Sequence, residues 1–134
     1  MDLTAEIAAV REGRGDPGRL LGDFRRAVVL APVAGGGLMS AESGGVRWLY
    51  AFTDEGALAR FLGARGAAGD AEWEYVSILG ARLLDAVIPS LDGPTGVAVD
   101  VADEDASMLF PPVPGIVPEA VAVDPGAGLA GGAR

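Results

Sequence analysis

Val46-Arg47-Trp48-Leu49-Tyr50-Ala51-Phe52-Thr53-Asp54-Glu55-Gly56-Ala57-Leu58-Ala59-Arg60-Phe61-Leu62 changes its hydrophobic period in mid-course, and that change sets the fold class. Up to Phe52, large apolar residues alternate with period two, the mark of a strand. Val46, Trp48, Tyr50 and Phe52 fall on one face and are expected to be core, while Arg47, Leu49, Ala51 and Thr53 take the other. From Thr53 onward the period is helical. Thr53-Asp54-Glu55 offers a capping hydroxyl and two carboxylates to the positive end of a helix dipole, and Leu58, Phe61 and Leu62 form the buried side. A strand running straight into a capped helix, over about 54–65, argues for mixed α and β structure.

Toward the N-terminus, Ser43-Gly44-Gly45 reads as a turn. Before it come a short strand over Leu38 to Glu42, the triplet Gly35-Gly36-Gly37, and a Val-rich strand from Ala27 to Val33 that meets Pro32. A β-meander is the simplest arrangement. Further upstream, Asp16 caps and Pro17 opens a short helix or turn with Leu20, Leu21, Phe24 and Ala27 on one face. Leu3, Ile7 and Val10 predict a first helix that ends at Gly13-Arg14-Gly15.

Toward the C-terminus, a polar Gly-Asp linker leads to a strand from Glu72 to Ile78. A helix over 80–91 follows, with Leu83, Leu84, Val87, Ile88 and Leu91 on one side and Pro89 to end it. Gly93-Pro94-Thr95-Gly96 turns the chain into a strand from Val97 to Val101, and Asp103-Glu104-Asp105 opens a turn or short helix. Pro111-Pro112-Val113-Pro114 and Pro118 hold an extended arm across the domain, ending in an edge strand over Val121, Ala122 and Val123. The expected architecture is a single α+β domain over residues 1–124, with helices packed mainly on one face of an antiparallel or mixed sheet. About four to six strands suit a domain of this size. A Gly/Ala-rich tail over 125–134 is expected to be disordered.

The chain has 134 residues, half of them apolar, and a formal charge of -9. At this length a domain buries roughly two thirds of the surface of its unfolded chain, enough to fold without disulfides or a structural metal. His, Cys, Lys, Asn and Gln are all absent. Zinc sites of Cys and His, Ser-His-Asp and Cys-His nucleophiles, Schiff-base lysines and the phosphate-binding loop that ends in Lys are therefore excluded. The ten cations are all Arg and form no cluster, so an acidic chain of this kind is expected to avoid nucleic acid. The segment Met1 to Val10 lacks the basic and apolar regions of a secretory signal, and no apolar run reaches the length of a membrane span. A cytoplasmic location without membrane insertion is the expectation.

The remaining motifs have plain structural explanations. Gly13, Gly15 and Gly18, and again Gly126, Gly128 and Gly131, satisfy G-x-G-x-x-G. The first set follows a helix and only three residues of this sequence follow the second, so neither is expected to seat a pyrophosphate. Asp100, Asp103, Glu104 and Asp105 lack the glycine and closing Glu of a calcium loop and read as a solvated turn with a capping role. The serines stand in no nucleophile elbow and have no His or Lys base. No catalytic residue, cofactor or metal is expected, and the chain is not expected to be an enzyme. In the strand before residue 79, Val76 and Ile78 form the natural core pair. Trp73 and Tyr75, on the opposite face with Ser77, are the candidate anchors for a partner. Pro111 and Pro114 fit P-x-x-P but have no adjacent Arg.

The segment from Val46 to Leu62, together with the helix at 80–91 and the strand Gly96-Val97-Ala98-Val99-Asp100, resembles the N-terminal domain of the SseB family, over most of residues 19 to 123. This chain ends the last strand in Asp100-Val101 where the family commonly has Asn-Pro. The resemblance implies an α+β domain without an established enzymatic activity, and it carries no catalytic residues over. The leading expectation is a non-enzymatic interaction module that binds a protein or peptide through an exposed sheet face or the edge near Leu38 to Glu42. The alternative is a small-ligand or metal-dependent domain that uses its carboxylates. The first predicts a shallow apolar surface, the second a concave site where carboxylates of shifted pKa converge.

Overall fold

Helices form where a cap and an apolar period agree. In the computed structural model of the chain, which describes residues 3–66 and 73–123, α1 spans Leu3–Arg11 and α2 spans Pro17–Arg26. Asp16 Oδ1 accepts hydrogen bonds from the backbone N–H of Gly18 at 2.9 Å and of Arg19 at 3.4 Å. Those donors would otherwise be orphaned at the helix start. Helix α3, Glu55–Ala64, is capped by Asp54 alone, whose Oδ1 accepts from Ala57 N–H at 2.8 Å. The Thr53 hydroxyl, expected to share in that cap, donates to Asp100 instead.

A further helical rod, α4, begins as one α-turn over Gly80–Arg82, widens to a π-turn over Leu83–Val87 and tightens to a 3-10 turn over Ile88–Ser90. Pro89 explains the irregularity, because it has no N–H and its ring collides with the carbonyl four residues back. The Ile88 N–H reaches five residues back to Leu83 O and the rod ends at Ser90.

The strands are β1 Val28–Ala34, β2 Gly37–Leu38, β3 Ser40–Ser43, β4 Val46–Ala51, β5 Tyr75–Leu79, β6 Thr95–Val99 and β7 Met108–Phe110. They pair in the orders β2-β1-β5 and β3-β4-β6-β7. The β4–β6 pair is parallel and the other pairs are antiparallel, so the fold is α+β with a mixed sheet. The two sheets are tied where Leu30 and Phe52 exchange backbone hydrogen bonds of 2.8 Å each. A parallel pair needs a long crossover, and here α3, β5 and α4 provide it.

Several expectations are corrected. The described residues form seven strands in two sheets, partly because the segment expected as one strand at 38–42 splits at Met39 into β2 and β3. Strand β7 is too short to show a period. The edge strand expected at 121–123 is not formed: Glu119–Val121 is a 3-10 turn, and the Val123 N–H donates to Pro112 O at 2.7 Å. The tail at 125–134 and the linker at 67–72 lie outside the described residues.

The main core packs α1, α2 and α4 against one face of the strands. Ile7, Phe24, Leu83, Leu84 and Ile88 from the helices meet Val29, Leu49, Ala51, Val97, Val99 and Phe110. Val117 of the Pro-rich arm joins this core and Ile116 packs against it. A smaller cluster of Phe52, Ala57, Leu58, Phe61 and Leu62 holds α3 to the opposite face. The alternation along β4 is therefore as expected, but the faces exchange roles. Leu49 and Ala51 point into the main core, whereas Val46, Trp48 and Tyr50 are only half-buried and Phe52 alone of the aromatic face is enclosed. Three close-packed helices leave room for Leu and Ala on β4, and the bulky rings go to the face that one helix covers in part.

Candidate functional site

Register places the half-buried aromatics over small residues. Trp48 stands opposite Ala41 on β3 and Gly96 on β6, Tyr50 opposite Ala98, and Ala98 opposite Leu109. At the Tyr50 end, α3 closes the face. The Phe61 ring lies 4.7 Å from Tyr50 and 4.9 Å from Phe52, and the Arg65 guanidinium sits 5.8 Å from the Tyr50 ring centre. Such ring contacts add about 0.5 to 1.5 kcal/mol beyond area burial, so this end is fixed.

Beyond Tyr50 the face forms a shallow cleft of about 520 Å³, lined chiefly by Val46, Trp48, Tyr50, Ala98 and Leu109. Leu109 is 53% exposed. Gly96 makes the floor possible: a Cβ there would lie 2.8 Å from the Trp48 ring and 2.5 Å from Phe110 O. The indole can rest on β6 only because that position has no side chain. The cleft is open, apolar and pre-formed, which suits the contact surface of a macromolecule rather than the enclosed pocket of a small ligand.

Trp73 and Tyr75 lie elsewhere. They are 37% and 38% exposed and border a smaller recess of about 180 Å³ beside Glu55, Leu58, Ala59 and Leu62 of α3. The Tyr75 hydroxyl donates to Glu55 Oε2 at 2.7 Å, and that bond and the Glu55 charge hold its pKa above the usual tyrosine value. Val76, expected as half of the core pair, is 41% exposed, because β5 is the outermost strand of its sheet. The sequence could not point to the Trp48 cleft, since an aromatic on an alternating strand signals burial on either face.

The carboxylates beside the start of α3, Asp54, Asp100 and Asp103, are already engaged. Asp100, expected in a solvated turn, is buried at 2% exposure with a positive φ of 51°. Its two oxygens accept from Thr53 N–H at 2.9 Å and from Thr53 Oγ1 at 2.7 Å. Burial pushes its pKa up from the ordinary aspartate value, and those two bonds only partly oppose the rise. Asp103 accepts from Arg60 through both oxygens at 2.7 and 2.8 Å, which draws its pKa down. Interaction between the Glu6 and Asp23 carboxyls raises the pKa of Glu6, which is buried, and lowers that of Asp23, and Arg19 pairs with Glu6 as Arg26 does with Asp23. Among the described residues, no group of three acidic side chains is arranged to hold a metal ion.

Asp100 yields a prediction with a definite sign. A carboxylate whose folded pKa is raised stabilises the fold most below its unfolded pKa, and that contribution is lost as pH rises through the folded pKa. Asn tolerates positive φ and can still accept from Thr53 N–H. Asp100→Asn should therefore raise stability at pH 7, and the gain should shrink as the pH falls toward 4. Asp100→Ala leaves a buried donor unsatisfied and should cost about 3 kcal/mol at pH 7. Urea melts of the three proteins across this pH range check both signs.

No family model, curated protein or solved structure matches the chain. Among the described residues, no helix is long and apolar enough to cross a membrane.

Proposed function

We propose that the chain is a non-enzymatic interaction module, acting in the cytoplasm, that receives an extended protein or peptide segment on the open half of its outer sheet face. The observation that carries this reading is the pre-formed apolar cleft across β3, β4, β6 and β7, with Trp48 as floor and Leu109 as rim. Aromatic anchors in such a surface are the usual source of binding energy in protein recognition. The formal charge of -9 favours a partner with basic residues flanking an apolar or aromatic side chain. The resemblance to the SseB N-terminal domain supports the same reading, and we propose that family as the chain's own. The edge near Leu38 to Glu42 is a weaker platform, because β2 is two residues long and β3 carries only small side chains and Glu42, all exposed.

The alternative, a cation or small ligand held by carboxylates, would require Asp54, Asp100 and Asp103 to leave the α3 N-terminus, Thr53 and Arg60. That cost sets it behind. Selection from a displayed random-peptide library tests the leading reading. Enriched peptides should bind with affinity reduced by about 2 kcal/mol in Trp48→Ala and in Leu109→Glu. The Trp73→Ala and Tyr75→Ala variants should bind them as the unaltered chain does. No enrichment, or binding indifferent to Trp48 and Leu109, overturns the cleft.

A further inference from the structure

The free edge of β5 differs from every other sheet edge among the described residues. β2 is two residues long, β3 carries Glu42 and three small residues, and β7 is three residues followed by Pro111 and Pro112. Short length, charge and proline are the usual means of blunting an edge against pairing. β5 has none of them: Tyr75-Val76-Ser77-Ile78-Leu79 is uncharged and free of Gly and Pro. Of the six exposed large apolar side chains among the described residues, three lie on β5, Tyr75, Val76 and Leu79, and two flank it, Trp73 just before it and Val28 opposite Leu79 on β1.

The direction of the β5 backbone groups follows from β1. Leu30 exchanges both of its backbone bonds with Phe52, so it makes none to its β5 partner Ser77. Val33 N–H bonds Glu74 O and Gly80 N–H bonds Ala27 O, each at 2.9 Å, fixing the same alternation at both ends of β5. In an antiparallel ladder, residues two apart point the same way. The N–H and C=O groups of Tyr75 and Ser77 and the N–H of Leu79 therefore face outward along the free edge, while the Leu79 C=O, at the N-cap of α4, turns into the helix.

We propose that this edge pairs with β5 of a second copy of the chain, antiparallel about a two-fold axis at Ser77. Ser77 faces Ser77 of the other copy as a hydrogen-bonded pair, and Tyr75 faces Leu79. Ser77 then exchanges both backbone bonds with its counterpart, and the Leu79 N–H of each copy reaches the Tyr75 C=O of the other. On one face Tyr75 meets Leu79 and the neighbouring Val28, which pairs with Leu79 in its own sheet. On the other face Val76 meets Ile78. Each contact joins apolar to apolar or Ser to Ser, and cross-strand pairs of this kind stabilise a sheet. Small Ser77 at the centre lets the two strands approach on the axis.

Charge agrees with this register. Glu74 precedes β5 and Arg82 lies in the first turn of α4 just beyond it, both exposed and neither in an ion pair among the described residues. The two-fold sets Glu74 of each copy opposite Gly80 of the other, beside Arg82. The chain's net negative charge opposes association at long range, but these two ion pairs are local and each contact places opposite signs together. Pairing about Ser77 is isologous and closes at two copies, leaving only the blunted edges outside.

Sedimentation of the full chain across micromolar to millimolar concentration tests the proposal. The unaltered chain should shift with concentration from 13.5 kDa to twice that mass. Leu79→Lys and Val76→Lys should stay monomeric with unchanged circular dichroism. Glu74→Arg and Arg82→Glu should each weaken the dimer about tenfold or more through like-charge contacts, and the double variant should recover it. Because Glu74 and Arg82 are solvent-exposed, the charge reversals read pairing rather than folding. A chain monomeric throughout, a dimer that survives Leu79→Lys, or a double variant that fails to recover overturns the proposal.

Discussion

Gly80→Ala should abolish the native fold, although in an open helix the same change gains about 1 kcal/mol of helix propensity. Gly80 sits where β5 turns into α4, its N–H bonded to Ala27 O at 2.9 Å. A Cβ there would lie 2.0 Å from the carbonyl oxygen of Phe24 and 2.9 Å from its ring. The obstacle is backbone, so no rotamer change relieves it. Retreat is blocked as well, because Phe24 is fully buried and anchors the end of α2. The expected loss exceeds about 4 kcal/mol, a large part of what holds a domain of this size together. Soluble yield and a urea melt check it, and a cooperative transition close to that of the unaltered chain refutes the close approach.

Phe24→Ala carries the second large effect. The ring is fully buried and lies 4.6 Å, centre to centre, from Phe110 at the edge of the four-stranded sheet. It fills the space where α2, α4 and β7 converge on the main core. Truncation should cost about 3 to 5 kcal/mol, combining lost burial with the cavity left behind. Phe24→Leu keeps most of the volume and should recover most of that loss. Chemical denaturation of the two variants gives the difference directly. If Phe24→Ala costs under about 1 kcal/mol, as a surface change would, the described core is wrong. The Gly80 clash is with the Phe24 carbonyl as well as its ring, so Phe24→Ala should rescue Gly80→Ala only in part.

These two residues mark the limit of the sequence reading. The caps were legible because a cap is local: Asp16 before Pro17, and Asp54 four residues before Leu58, bond donors within their own turn. The close approach of Gly80 to Phe24 joins residues 56 positions apart, and glycine is so frequent here that its presence alone distinguishes none of the 21. The candidate site divides along the same line. Trp73 and Tyr75 could be singled out from alternation on β5. The Trp48 cleft needed the register of four strands and the reach of α3 before any part of it could be seen.

Composition and period by themselves determined that the chain forms an α+β domain, where its principal helices start, and which chemistries are closed to it for want of His, Cys and Lys. Those properties depend on residue identity and on contacts within a turn. Tertiary structure alone decided which face of β4 is core, that Thr53 serves Asp100 rather than the α3 cap, and that β5 is an open edge among the described residues. The physical reason is that a strand's alternation defines two faces without ranking them. Only the elements that pack on each face, brought from distant parts of the chain, settle which side is sealed and which is left open.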